Sequence, residues 1–170
     1  MAKEQIPVKL YQGEEIACKG ETIEDLDEDR ALRIGNTSYV LMEFRPGDSF
    51  HYIKNCLDQV QMKGYRPIVA HIERYEALRD ADAVRELTAK GIFIQVNAGS
   101  FTRKNDRKYL IGLAREGLIH VIGSDCHDLK ERPPGIMCAA RILQKELPEE
   151  MYEKLFFQNP AAILNNQYLS

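Results

Sequence analysis

The chain has 170 residues, 44% of them hydrophobic and 29% charged, with a formal net charge of -3. That length and apolar content predict one compact domain over residues 1–170 with a substantial core, and the weak negative balance gives no electrostatic field for nucleic acid or an anionic membrane. No apolar run reaches membrane-spanning length, the opening MAKEQIPVKL lacks a secretory pattern, and the cysteines form no CxxC pair, so the sequence predicts a cytoplasmic protein with reduced thiols.

In chain order, the first predicted strand covers residues 8–11, and the acidic stretch 20–29, GETIEDLDED, is read as a loop or surface helix without a chemical role. A strand over 39–44 is followed by a helix over 49–62, where Ile53, Leu57, Val60 and Gln61 share one face and Asp48 or Ser49 can cap the start. Strand 67–70 precedes helix 81–90, strand 92–96 precedes helix 104–117, and strand 119–122 precedes a tail of two or three short helices over 133–170. Gly64, Gly91 and Gly117 are placed to end the three helices. Repeated strand–helix units of this spacing predict an α/β fold with a parallel sheet, open or closed into a barrel, whose ligands gather at the carboxyl ends of the strands.

Those strand ends carry the chemistry. Glu15 follows the first strand, Glu43 ends the second, His71 and Arg74 follow the third, Asn97 the fourth, and Asp125 and His127 the fifth. Carboxylates and imidazoles are ligands for zinc, manganese or iron, and a carboxylate such as Glu15 can bridge two ions. Arg74 and Arg132 lie close enough in sequence to the histidines to fork onto phosphate oxygens at the same mouth. Metal ligands with guanidiniums point to phosphate ester hydrolysis.

Each residue also has a plain structural reading. Glu43 can cap a turn, Arg74 and Arg132 can be ordinary surface cations, and His51 and His120 are read as structural. Cys126 to Arg132, CHDLKER, has the C-x5-R spacing of thiol phosphatases. Its intervening Asp128 and Glu131 would repel phosphate and no glycine admits it, so Cys126 is read as a small residue tucked beneath the site.

The runs GEEI, VLMEF, VAHIERY, QVNAGSF, HVIGSDCH and ERPPGI, in this order, resemble the metal-dependent protein tyrosine phosphatases of the polymerase and histidinol phosphatase (PHP) superfamily, the capsule and exopolysaccharide regulators of Gram-positive bacteria. The resemblance implies a distorted TIM-like barrel and a cluster of divalent ions, manganese first, with iron or zinc as alternatives. It implies as substrate phosphotyrosine on the protein tyrosine kinase that controls capsule synthesis, attacked by metal-activated water. Carried onto this chain, the family's metal ligands fall on Glu15, Glu43, His71, Asp125 and His127, and its phosphate-binding arginines on Arg74 and Arg132.

Members of that family open with a His-x-His strand, then an Asp and a further His, and this sequence contains none of these. The expectation is therefore a barrel lacking its N-terminal part, an unpaired edge at residues 8–11 that a second copy covers to make a homo-oligomer, and a weakened metal site. The alternative function is a catalytically weak or inactive member that binds metal or a partner.

Overall fold

The structure, a computed structural model, describes residues 7–28 and 30–169. Five parallel strands form one sheet in sequence order: β1 (Glu15–Ala17), β2 (Tyr39–Glu43), β3 (Arg66–Val69), β4 (Phe93–Asn97) and β5 (Val121–Gly123). Helices α1 (Thr22–Asp27), α2 (Phe50–Met62), α3 (Ala81–Ala89) and α4 (Lys104–Arg115) occupy the successive crossovers. Sequential order in an all-parallel sheet is the winding of a βα barrel. Here the arc is open, since among the described residues β1 pairs only with β2 and β5 only with β4.

The side-chain period of two splits each strand between two cores. Val40, Met42, Ile94 and Val96 face the helices and meet Ile53, Leu57, Val60, Val84, Leu87 and Leu113 in the larger one. Truncating a fully buried member such as Leu57 to alanine costs about 2–5 kcal/mol. The opposite face carries a smaller cluster of Tyr39, Ile68 and Phe93 under Ile163 from the tail.

The helix boundaries follow local chemistry. Ser49 caps α2 by accepting from Tyr52 N, while Asp48 accepts from Arg45 N instead. Gly64, Gly91 and Gly117 end their helices at φ of +86°, +78° and +73°, angles a Cβ would resist. On α2 the buried face includes Cys56, and Gln61 reaches outward to the Lys90 carbonyl. The acidic stretch forms α1, anchored by buried Leu26. The tail folds as α5 (Ile136–Glu146), α6 (Glu149–Glu153), a π-helical turn (Lys154–Gln158) and α7 (Asn159–Leu164).

Three expectations fail. Residues 8–11 form no strand: Val8, Leu10 and Tyr11 are exposed, and the first strand forms at Glu15, where the edge of β2 offers a ladder in the register Glu15 to Leu41. An apolar alternation without a neighbouring edge leaves its backbone to water, so the ladder decides the position. Cys18 and Cys56 are joined in a disulfide across 38 residues rather than left as thiols, because the residue after β1 faces the inner side of α2. Cys126 and Cys138 are free and exposed, so Cys126 is not tucked beneath the site.

Candidate metal and phosphate site

Glu15 opens β1 rather than following a strand, Glu43 ends β2, and His71 lies just beyond β3. Ala17 stands beside Glu43 in the ladder, two residues on from Glu15, so both carboxylates project from the same face of the sheet. One ligand atom from each of Glu15, Glu43 and His71 lies within 4.8 Å of the others. His71 is buried, and its Nε2 stands 2.6 Å from Glu15 Oε1 and 3.5 Å from Glu43 Oε1. The hydrogen bond from His71 holds the Glu15 carboxyl below its ordinary range, against the upward push of burial.

The other ring nitrogen, Nδ1, meets Tyr75 Oη at 3.1 Å, and that oxygen also accepts from Phe44 N at 3.1 Å. In one arrangement the phenol gives its proton to Nδ1, and Nε2 carries the proton shared with Glu15. A hydroxyl can equally accept from a protonated Nδ1, which frees the Nε2 lone pair for a metal. Two carboxylates and an imidazole, brought together from β1, the end of β2 and the turn after β3, therefore fit a divalent cation such as manganese, iron or zinc.

Asp125 and His127 sit outside that trio, in the loop after β5. Asp125 Oδ2 accepts from Arg74 Nη2, from Arg132 Nη2 and, at 2.9 Å, from Asn97 Nδ2. Burial opposes the charge on Asp125, but the Arg132 hydrogen bond and the two guanidinium charges outweigh it and lower its pKa. His127 is exposed; its Nδ1 donates to the Asp125 carbonyl at 3.0 Å and its Nε2 accepts from Arg132 Nη1 at 3.2 Å. Asp128 Oδ1 gathers the backbone N–H groups of Lys130 and Glu131, both at 2.6 Å, and so folds the loop that presents Arg132. Those N–H bonds also lower the Asp128 pKa.

Several supporting residues escaped the sequence reading. Gln95 Oε1 accepts from His71 N while its Nε2 donates to Asn97 Oδ1 at 3.0 Å, which orients Asn97 toward Asp125. Glu73 is buried, accepts from Asn97 N at 3.2 Å and from Ser100 Oγ at 2.9 Å, and is raised in pKa by desolvation that these bonds only partly offset. The available signal was a polar residue inside an apolar run, Gln95 in FIQVN and Glu73 in VAHIERY. Backbone geometry marks the same place. His71 and Asp125, at φ of 33° and 50°, are two of three non-glycine residues with positive φ among the described residues. The remaining histidines are structural: His51 contacts Asn55 on the surface of α2, and His120 Nδ1 accepts from Ile94 N at 3.1 Å.

The family model described as capsular polysaccharide synthesis, CpsB/CapC, matches residues 1–165. The tyrosine-protein phosphatase CpsB of Streptococcus agalactiae serotype V is 31% identical over 171 residues, covering 95% of this chain and 70% of the relative. The tyrosine-protein phosphatase YwqE of Bacillus subtilis is 31% identical over 98% of this chain and 67% of its own. A solved chain from the crystallographic work on YwqE and on CpsB of Streptococcus pneumoniae, described there as unique metal-dependent tyrosine phosphatases, superposes with a TM-score of 0.91 over 99% of this chain and 70% of the other, at 31% identity. No helix among the described residues is long and apolar enough to cross a membrane. With the matched model, the similar relatives and the shared arrangement of strands and helices, the chain belongs to the CpsB/CapC family of metal-dependent tyrosine phosphatases.

Proposed function

We propose that this chain hydrolyses phosphotyrosine on a protein, with the tyrosine kinase that controls capsule synthesis as its substrate. The observation that carries the reading is the convergence of two guanidiniums, Arg74 and Arg132, on one oxygen of Asp125 beside the Glu15, Glu43 and His71 trio. Guanidiniums that meet at a single anionic oxygen are spaced to fork onto a phosphate. A divalent ion, manganese first, held by Glu15, Glu43 and His71 and completed by Asp125 and His127, supplies Lewis acidity and an activated water when bound. Arg74 and Arg132 then turn from Asp125 to the phosphoryl oxygens and neutralise charge that grows in the transition state. Water attacks phosphorus, the bond to the tyrosine oxygen breaks, and the departing phenolate takes up a proton.

The test separates ligands from anion binders. Excess EDTA should abolish hydrolysis of p-nitrophenyl phosphate and manganese should restore it, while alkylation of exposed Cys126 leaves it intact. His71→Ala and Asp125→Ala should lower bound metal and turnover together. Arg74→Ala should retain metal and lower kcat by about 10²–10³, the scale of one lost transition-state donor. Metal retained with no turnover in the parent chain would favour the alternative, a family member that binds without hydrolysing.

A further inference from the structure

The net charge of -3 conceals a band of positive charge that begins beside the site and runs down α4. At its upper end Arg79 Nη2 donates to the carbonyl of Glu73, the residue before Arg74, at 3.2 Å, and its Nη1 stands 3.3 Å from Asp106 Oδ1. Arg79, Arg103, Lys104 and Asp106 line a shallow cavity of about 360 Å³. Lys104 also borders the next cavity, about 570 Å³, with Arg107, Lys108, Arg115 and Glu146. Positions 104, 107, 108, 111 and 115 share one helical face, so the two hollows form a continuous track along α4.

Six cations border this track against two carboxylates. Asp106 is buried and held by Arg79 and Arg103, and Glu146 is divided between Arg107 at 3.6 Å and Arg115 at 2.8 Å. The ammonium groups of Lys104 and Lys108 are exposed and have no ionic partner among the described residues. A merely solvated face mixes its signs, whereas this one accumulates one sign next to the phosphate-binding arginines.

We propose that the band holds acidic residues of the polypeptide that carries the phosphotyrosine, an inference that rests on the function proposed above. The 12 residues of α4 span about 18 Å, the reach of roughly five extended residues, so the acids that matter lie within about five positions of the phosphotyrosine on one flank. Carboxylates there replace the missing partners of Lys104 and Lys108 and steer the peptide to the rim.

Fluorescence anisotropy with manganese-loaded protein tests this with peptides that carry the non-hydrolysable analogue phosphonomethyl-phenylalanine in place of phosphotyrosine, flanked by four glutamates or four glutamines, on either side. One glutamate-flanked peptide should bind about fivefold to tenfold more tightly than its glutamine counterpart at low salt, an advantage that fades at high salt. The double variant Lys104→Glu/Lys108→Glu should lose that advantage while its turnover of p-nitrophenyl phosphate stays unchanged. Equal binding of acidic and neutral peptides overturns the band. A single-stranded oligonucleotide that binds as tightly as the acidic peptide, and is lost in the same variant, overturns the polypeptide assignment. Failure of p-nitrophenyl phosphate turnover in the parent chain counts against the proposed function alone, because the binding comparison needs no hydrolysis.

Discussion

His71 and Tyr75 are joined inside the molecule, ring nitrogen Nδ1 to phenol oxygen at 3.1 Å, and that one hydroxyl also serves the backbone N–H of Phe44. Tyr75→Phe therefore removes the group that fixes the histidine ring and leaves a buried N–H unpaired. Calorimetric titration with manganese should show affinity lowered by about 10- to 100-fold, and denaturant unfolding a loss of about 1–3 kcal/mol. Unchanged manganese affinity would show that the ring is positioned by packing alone.

Gly123 touches Gln95. A Cβ at this position would meet the amide nitrogen of Gln95 and lie 3.2 Å from its Cδ, so Gly123→Ala forces that side chain aside. Gln95 can swing away only by releasing His71 N and Asn97 Oδ1. The variant should fold with a stability lower by about 1–2 kcal/mol and with weakened metal binding. Gly112→Ala, where nothing lies within 4 Å of the added atom, is the control that should leave metal binding unchanged.

Burial lowers His120 to about 4, so the native state resists a proton that the unfolded chain accepts near 6.5. Between those values the unfolded state binds more protons, and stability falls as pH falls; above 6.5 the penalty is absent. Urea unfolding should show a loss of about 2 kcal/mol from this group between pH 7 and pH 5. In His120→Gln that part of the slope should vanish.

The Cys18–Cys56 bond fastens the residue after β1 to α2. Closing a 38-residue separation stabilises by about 3–4 kcal/mol on chain-entropy grounds. Thiol titration of the native protein should find Cys126 and Cys138 reactive before reduction, and the Cys18→Ser/Cys56→Ser double variant should melt lower by several degrees. Four reactive thiols without reductant would contradict the bond.

The strands from β2 to β5 were legible because each is a short apolar run closed by a polar turn, and the helices because glycine and serine mark their ends. β1 was not legible: Glu15, Ile16 and Ala17 have no run of their own, and their ladder exists only because β2 lies beside them. Glu43 and His71 could be read from strand ends, whereas Glu15 was expected to follow a strand at 8–11 and instead opens β1. The pairing of Arg74 and Arg132 on Asp125 depends on where two distant loops meet, a tertiary relationship that spacing does not encode. Gln95 and Glu73 were visible as polar letters among apolar ones, but their work is to orient neighbours, and that needs coordinates.

The left-handed backbone at His71 and Asp125 sets a direction for drift. Glycine enters such angles freely, whereas a side chain carries a steric cost of about 1 kcal/mol or more. Stability alone would therefore tend to erase both residues, and a lineage released from its chemical duty should replace them early, with its fold intact and slightly firmer. Both positions lie where the candidate site is built, so glycine at either would ease the backbone while removing the side chain that meets Glu15 or Arg74.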